Sequence, residues 1–125
     1  MNYILVAAGG AFGSVLRLLI RQLMLPLSAM NGYFFATIAV NIVGSFLIGL
    51  LFPIFEKNSG LTSGMWFFLT TGLLGGFTTF SAFSLDFFIL YGRSGATVAM
   101  GYAIVSVLFS LLAVFIGVSL GRVFV

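Results

Sequence analysis

The sequence predicts an all-α integral membrane protein of four transmembrane helices, and three observations carry that expectation. Of the 125 residues, 62% are hydrophobic and 6% charged, where a soluble domain carries about 25% charged residues. Mean hydropathy is +1.29. The polar or turn-forming breaks, "LPLSAMNG" at 25–32, "EKNSG" at 56–60 and "YGRSG" at 91–95, leave apolar stretches that meet the roughly 20 residues a span requires. One domain, wholly within the bilayer, accounts for the chain.

The first helix is expected over Tyr3 to Leu25. "MNYILVAAGG" lacks a basic flank and runs directly into apolar residues that carry arginines, so it reads as a retained helix and not a cleaved signal. "GGAFG" (Gly9 to Gly13) is a small-residue pattern suited to close helix packing. Arg17 follows it, a charge whose head either snorkels to the interface or faces an aqueous vestibule. The second helix, Tyr33 to Phe55, places Asn41 near mid-bilayer, with Thr37 and Gly44 on its face at i−4 and i+3. A buried amide is costly unless satisfied, so Asn41 either bonds another helix or lines a pathway.

The third segment, Leu61 to Tyr91, is too long for one plain span. Gly75 and Gly76 weaken a helix, and Thr78 and Thr79 compete for backbone bonds with their hydroxyls. Together they predict a helix broken mid-membrane, where freed carbonyls could hold a cation. A small-residue packing face is the alternative; the break is favoured because the long segment needs slack. Phe80 and Phe83 share one helical face, with Ser81 and Ser84 on the adjacent one. Aromatic edges are electropositive and can favour an anion weakly, although phenylalanine at helical spacing ordinarily packs in the core or against lipid. Asp86 follows as an intramembrane acid, either functional or paired with an arginine. In the fourth helix, Ala96 to Phe124, Tyr102, Ser106 and Ser110 repeat every four residues as a stripe of hydroxyls. "GVSLG" (Gly117 to Gly121) reads as a second packing seam.

Charge and composition exclude several functions. Five basic and two acidic residues give +3 without a basic cluster, so nucleic acid is not an expected partner. Zero Cys and zero His remove thiol chemistry and the usual zinc and haem ligands. No catalytic constellation is present, and the chain is not read as an enzyme. Arg21, Arg93, Glu56, Lys57 and Arg122 are read as solvated flanks. Lys57 and Arg122 lie on one side and Arg21 and Arg93 on the other, so the charge bias that orients membrane proteins is balanced. Either orientation should insert, and an antiparallel dimer about a two-fold axis in the membrane plane is the simplest assembly; a balanced count can also arise by chance from short loops.

The combination of "GGAFGSVLR", "VNIVGSFLIG", "GLLGGFTTFSAFSLD" and the spaced Tyr102, Ser106 and Ser110 resembles the Fluc (CrcB) family of fluoride channels along essentially the whole chain. "TTFSAFS" is similar to that family's Thr-Thr-Phe-Ser-Thr-Phe-Ser run. The resemblance implies a dual-topology antiparallel homodimer with two pores, exporting fluoride passively across a bacterial inner (plasma) membrane and so lowering its toxicity. It implies that Phe80 and Phe83 present ring edges to the ion and that Asn41 donates a hydrogen bond to it. Tyr102, Ser106 and Ser110 would lie near the pore, and Ser81, Ser84 and Asp86 along a polar track. Arg17 would draw anions to the vestibule. A structural sodium ion at the dimer interface would be held by the backbone carbonyls of Gly75 and Thr78. Three positions depart from the family pattern: Ala82 replaces a usual Thr, Leu18 a common Tyr, and Asp86 a usual Glu. A dual-topology small multidrug-type exporter and a non-transporting membrane assembly subunit are the alternative functions, and the first of these lacks its expected acid in helix one.

Overall fold

The computed structural model describes residues 1–27, 32–58 and 60–125, and all regular structure among them is helical. Four helices are long and apolar enough to cross a membrane: α1 (Asn2–Met24), α2 (Gly32–Lys57), α3 (Gly64–Ser94) and α4 (Ala96–Gly121). The expected breaks at 25–32 and 56–60 lie partly outside the described residues. The break at 91–95 shrinks to one residue, because α3 continues to Ser94 and Gly95 alone turns the chain at φ 87°. Only glycine takes that conformation cheaply.

Backbones approach closely along two seams. On α1, a Cβ at Gly9 or Gly13 would collide with the carbonyls of Phe68 or Leu73, and one at Gly76 would collide with Gly10. α2 and α4 form the other seam, where Gly117 and Gly121 lie against the carbonyls of Phe46 and Leu50. Both glycine patterns of the sequence are therefore packing faces, as small residues are in membrane bundles generally. Phe34, Leu90, Ala99 and Tyr102 form a buried cluster between α2, α3 and α4. Phe12, Phe88, Leu108, Leu112 and Phe115 point outward, as a protein solvated by lipid allows.

α3 is not one regular helix. Ser63 caps its start, its hydroxyl accepting from Trp66 N at 3.1 Å. Phe68–Leu74 winds as a π-helix, which the sequence did not suggest. Gly75–Phe77 returns to α geometry. The chain then bends at Thr78 (φ −82°, ψ 160°) and Thr79 (φ −156°, ψ 124°), both extended, and helix resumes over Phe80–Ser94. Of the four residues the sequence marked, Gly75 and Gly76 are helical, and Thr78 and Thr79 carry the bend. Gly76 instead serves as packing surface against α1.

Candidate functional site

The bend is organised by one side chain from α2. Asn41 Oδ1 accepts from Thr79 N at 2.8 Å, and Asn41 Nδ2 donates to Thr79 O at 3.1 Å. This primary amide thus replaces the lost peptide partner of Thr79 N, which could not go unpaired within hydrocarbon, and adds a bond to Thr79 O, the N-cap carbonyl that also accepts the first bond of the following helix. Gly44, on the same face of α2, leaves the space that the Thr78 methyl fills.

Four carbonyls, those of Gly75, Gly76, Phe77 and Thr78, lose their helical partners at the bend. In a continuous helix Thr79 N would donate to Gly75 O and Ala82 N to Thr78 O. Here Thr79 N goes to Asn41, and Ala82 N donates to Thr79 Oγ1 at 3.1 Å, the geometry of an N-cap. Gly75 O and Thr78 O are freed for another donor or a cation. Thr78 itself remains tied to the preceding turn through Thr78 N and Oγ1, both to Leu74 O, at 2.8 and 2.9 Å.

Around the bend lies a cleft of about 410 Å³ whose lining includes Asn41, Gly75, Thr78, Phe80, Phe83, Ser106 and Ser110. Seven of the residues singled out in the sequence thus meet in one place, although they come from three helices. Phe80 is 78% exposed, an uncovered ring at the bend. The centroids of Phe80 and Phe83 are 5.4 Å apart with planes tilted by 38°, and both residues line the cleft. Ser110 Oγ is buried with no hydrogen-bond partner. One amide hydrogen of Asn41 also remains beyond the bond to Thr79.

Tyr102 stands one step behind the cleft. Its ring stacks on Phe83 at 5.4 Å and 21°, and meets Phe34 edge-on at 6.2 Å. Its hydroxyl donates to Asp86 Oδ2 at 3.2 Å, and Thr37 Oγ1 donates to the same oxygen at 2.6 Å. Asp86 is 2% exposed, so this carboxylate is a buried acceptor for two hydroxyls, not the partner of an arginine. Ser81 and Ser84 lie apart from the cleft lining. Ser81 Oγ is 3.2 Å from Thr79 Oγ1, and Ser84 Oγ donates to Phe80 O at 2.9 Å.

Arg17 lines a second cavity of about 270 Å³ with Ser14, Arg21, Thr37, Thr79 and Ala82. Arg21 is not the solvated flank expected of it. Its guanidinium lies over the Tyr33 ring at 4.5 Å from the centroid, and its Nε is buried without a partner. Three residues take roles other than those the sequence suggested. For Thr79 the signal was there, since a Thr directly before a helical run is a cap; for Thr37 and Arg21 there was none, because their partners come from other helices.

Comparison with known proteins identifies the chain's relatives. The family model described as CrcB-like protein, Camphor Resistance (CrcB), matches residues 4–118. A protein of Agrobacterium fabrum named Fluoride-specific ion channel FluC is 47% identical over 122 residues, covering 98% of this chain and 97% of that protein. Similarly named proteins of Rhizobium meliloti, 47% identical over 126 residues and 100% of both chains, and Mesorhizobium japonicum, 44% identical over 121 residues, 97% of this chain and 96% of the other, agree with it. On the family match and these full-length relatives, the chain belongs to the CrcB family.

Proposed function

We propose that this protein is a fluoride-selective channel that lets the anion leave the cytoplasm down its electrochemical gradient, across a bacterial plasma membrane. The observation that carries the reading is the cleft in which Phe80, Phe83, Asn41, Ser106 and Ser110 converge, in a chain whose full-length relatives bear the name of such channels. Fluoride is small and strongly hydrated, so a passage must replace its water with donors yet release it readily. The Ser110 hydroxyl and the spare Asn41 amide hydrogen are such donors, and the edges of Phe80 and Phe83 add attraction without a trapping charge. This is conduction, with no bond made or broken.

In this reading the active assembly is an antiparallel homodimer. The bilayer would hold copies of both orientations, consistent with the two-against-two charge balance, and Phe80 would be covered by the second copy. The freed carbonyls of Gly75 and Thr78 suit a hard monovalent cation, which prefers oxygen ligands. One copy supplies two such oxygens and a two-fold related copy would double them. Sodium there would supply fixed positive charge and bind the copies together, at a bend that Asn41 already holds open.

Asp86 weighs against a proton-coupled exporter. The acid within α3 is occupied by Thr37 and Tyr102 and does not face the cleft.

The test is fluoride efflux from potassium-loaded liposomes, read with a fluoride electrode after valinomycin is added, with chloride followed in parallel. Fast, valinomycin-dependent fluoride release without chloride release is the expected result. Absence of fluoride release from verified dimers would overturn the reading.

A further inference from the structure

The second cavity has a chemistry of its own. Arg17 and Arg21 are one turn apart on α1 and both line it, so their side chains lie over one face. The Tyr33 ring lies beneath the Arg21 guanidinium, whose carbon is 4.5 Å from the ring centroid, and a guanidinium held over a ring face by cation–π attraction spends none of its N–H groups on that contact. Arg21 Nε is one such donor, buried and without a partner. The nearby carboxylate, Asp86, stands behind Thr37 with Oδ2 occupied by Thr37 and Tyr102, and does not belong to the lining. Ser14 and Thr37 add hydroxyls.

A cavity of about 270 Å³ with two guanidinium forks is far roomier than a single halide requires. Forked donors match the paired oxygens of an oxyanion. Arg21 also lies one turn from the end of α1 at Met24, at the depth where a span meets headgroups and water.

We propose that the Ser14–Arg17–Arg21–Thr37 cavity is an oxyanion site that takes a phosphate group, with Arg21 as its principal fork. The phosphate is either inorganic or the headgroup of an anionic lipid. Thr79 lines both this cavity and the cleft, so the occupant sits across the Asn41–Thr79 bridge from the ring pair. The inference does not depend on the fluoride reading, because its primary readout is binding.

Purified full-length protein in neutral detergent is titrated with inorganic phosphate by calorimetry. In parallel, protein extracted from phosphatidylglycerol-containing membranes is assayed for co-purifying lipid phosphorus. Arg21→Gln and Arg21→Lys are compared with Arg93→Gln, which removes a cation outside the cavity, and gel filtration confirms folding of each. Saturable phosphate binding weakened about tenfold or more by both Arg21 substitutions, and unchanged by Arg93→Gln, would establish a site for free phosphate. Retained phosphatidylglycerol that only the Arg21 substitutions release would establish a lipid site. If neither probe binds, or if Arg93→Gln weakens binding as much as Arg21→Gln, the proposal fails whatever the fluoride assay returns.

Discussion

Asn41 and Thr79 exchange two hydrogen bonds, 2.8 and 3.1 Å long, between the middle of α2 and the bend of α3. A side chain from one helix thereby completes the backbone of another. Asn41→Ala strands the N–H of Thr79, an orphan that costs about 1–3 kcal/mol, while Thr79 O keeps its helical partner. The expected outcome is a loss of about 1–3 kcal/mol in SDS-induced unfolding. Asn41→Asp keeps the acceptor for Thr79 N but removes the donor and adds a charge, so fluoride flux should nearly stop while the dimer persists on gel filtration. Normal flux in Asn41→Asp would remove Asn41 from the pore.

Phe80 separates function from stability. Its ring is 78% exposed within one copy, so Phe80→Ile leaves the core of that copy intact. Fluoride flux should fall to near background with helical circular dichroism unchanged. Wild-type flux in this variant would mean that the ring pair does not face the ion.

Asp86 holds two hydroxyls on a single oxygen. Tyr102→Phe keeps the stack on Phe83 and loses one buried hydrogen bond, an expected cost of about 0.5–1.5 kcal/mol. Asp86→Leu should cost more, because the hydroxyls of Thr37 and Tyr102 would both lose their acceptor. Equal unfolding midpoints for the two variants would show that Thr37 finds its full satisfaction at Tyr33 O, which lies 3.2 Å away.

Close packing of α1 on α3 predicts an asymmetry among glycines. Gly13→Ala drives a methyl into the Leu73 carbonyl, rigid backbone that must shift, and overpacking of this kind costs about 1–3 kcal/mol. Gly101→Ala meets nothing within 4 Å and should be neutral or slightly stabilising by helix propensity. Indistinguishable unfolding curves would argue that α1 slides freely along α3.

The proposed sodium-bridged dimer predicts that replacing sodium by N-methylglucamine during purification weakens the dimer and slows fluoride flux, since the carbonyls of Gly75 and Thr78 would lose the cation assigned to them. A dimer and flux indifferent to sodium would leave those carbonyls to water.

The spans were legible because hydropathy and turn residues are local signals. The four apolar stretches and the two glycine seams arise from them, with ends displaced by a few residues: α2 runs to Lys57 and α3 to Ser94. The region of the bend was legible, since Gly75, Gly76, Thr78 and Thr79 all marked it, but which of the four leave helical geometry was not. The chain departs at Thr78 and Thr79, where Asn41 arrives from a helix 38 residues earlier. Convergence of Phe80, Phe83, Asn41, Ser106 and Ser110 was reachable only through the family resemblance, since no periodicity reports which helices are neighbours. Arg21 was misread for the same reason: its ring partner, Tyr33, comes from α2.

The π-helical stretch Phe68–Leu74 has a consequence for how this chain tolerates length changes. A π turn accommodates a residue more than an α turn of the same rise, so the stretch is a stored insertion. Deleting one residue there restores α geometry and leaves the remainder of α3 close to its present azimuth, whereas the same deletion in an α-helical stretch rotates everything beyond it by about 100°. A residue lost from Gly75–Phe77 would therefore swing Phe80 and Phe83 off the cleft and take Thr79 away from Asn41. The irregular turns are thus the place where α3 can shorten by one residue and still present the same faces to its neighbours.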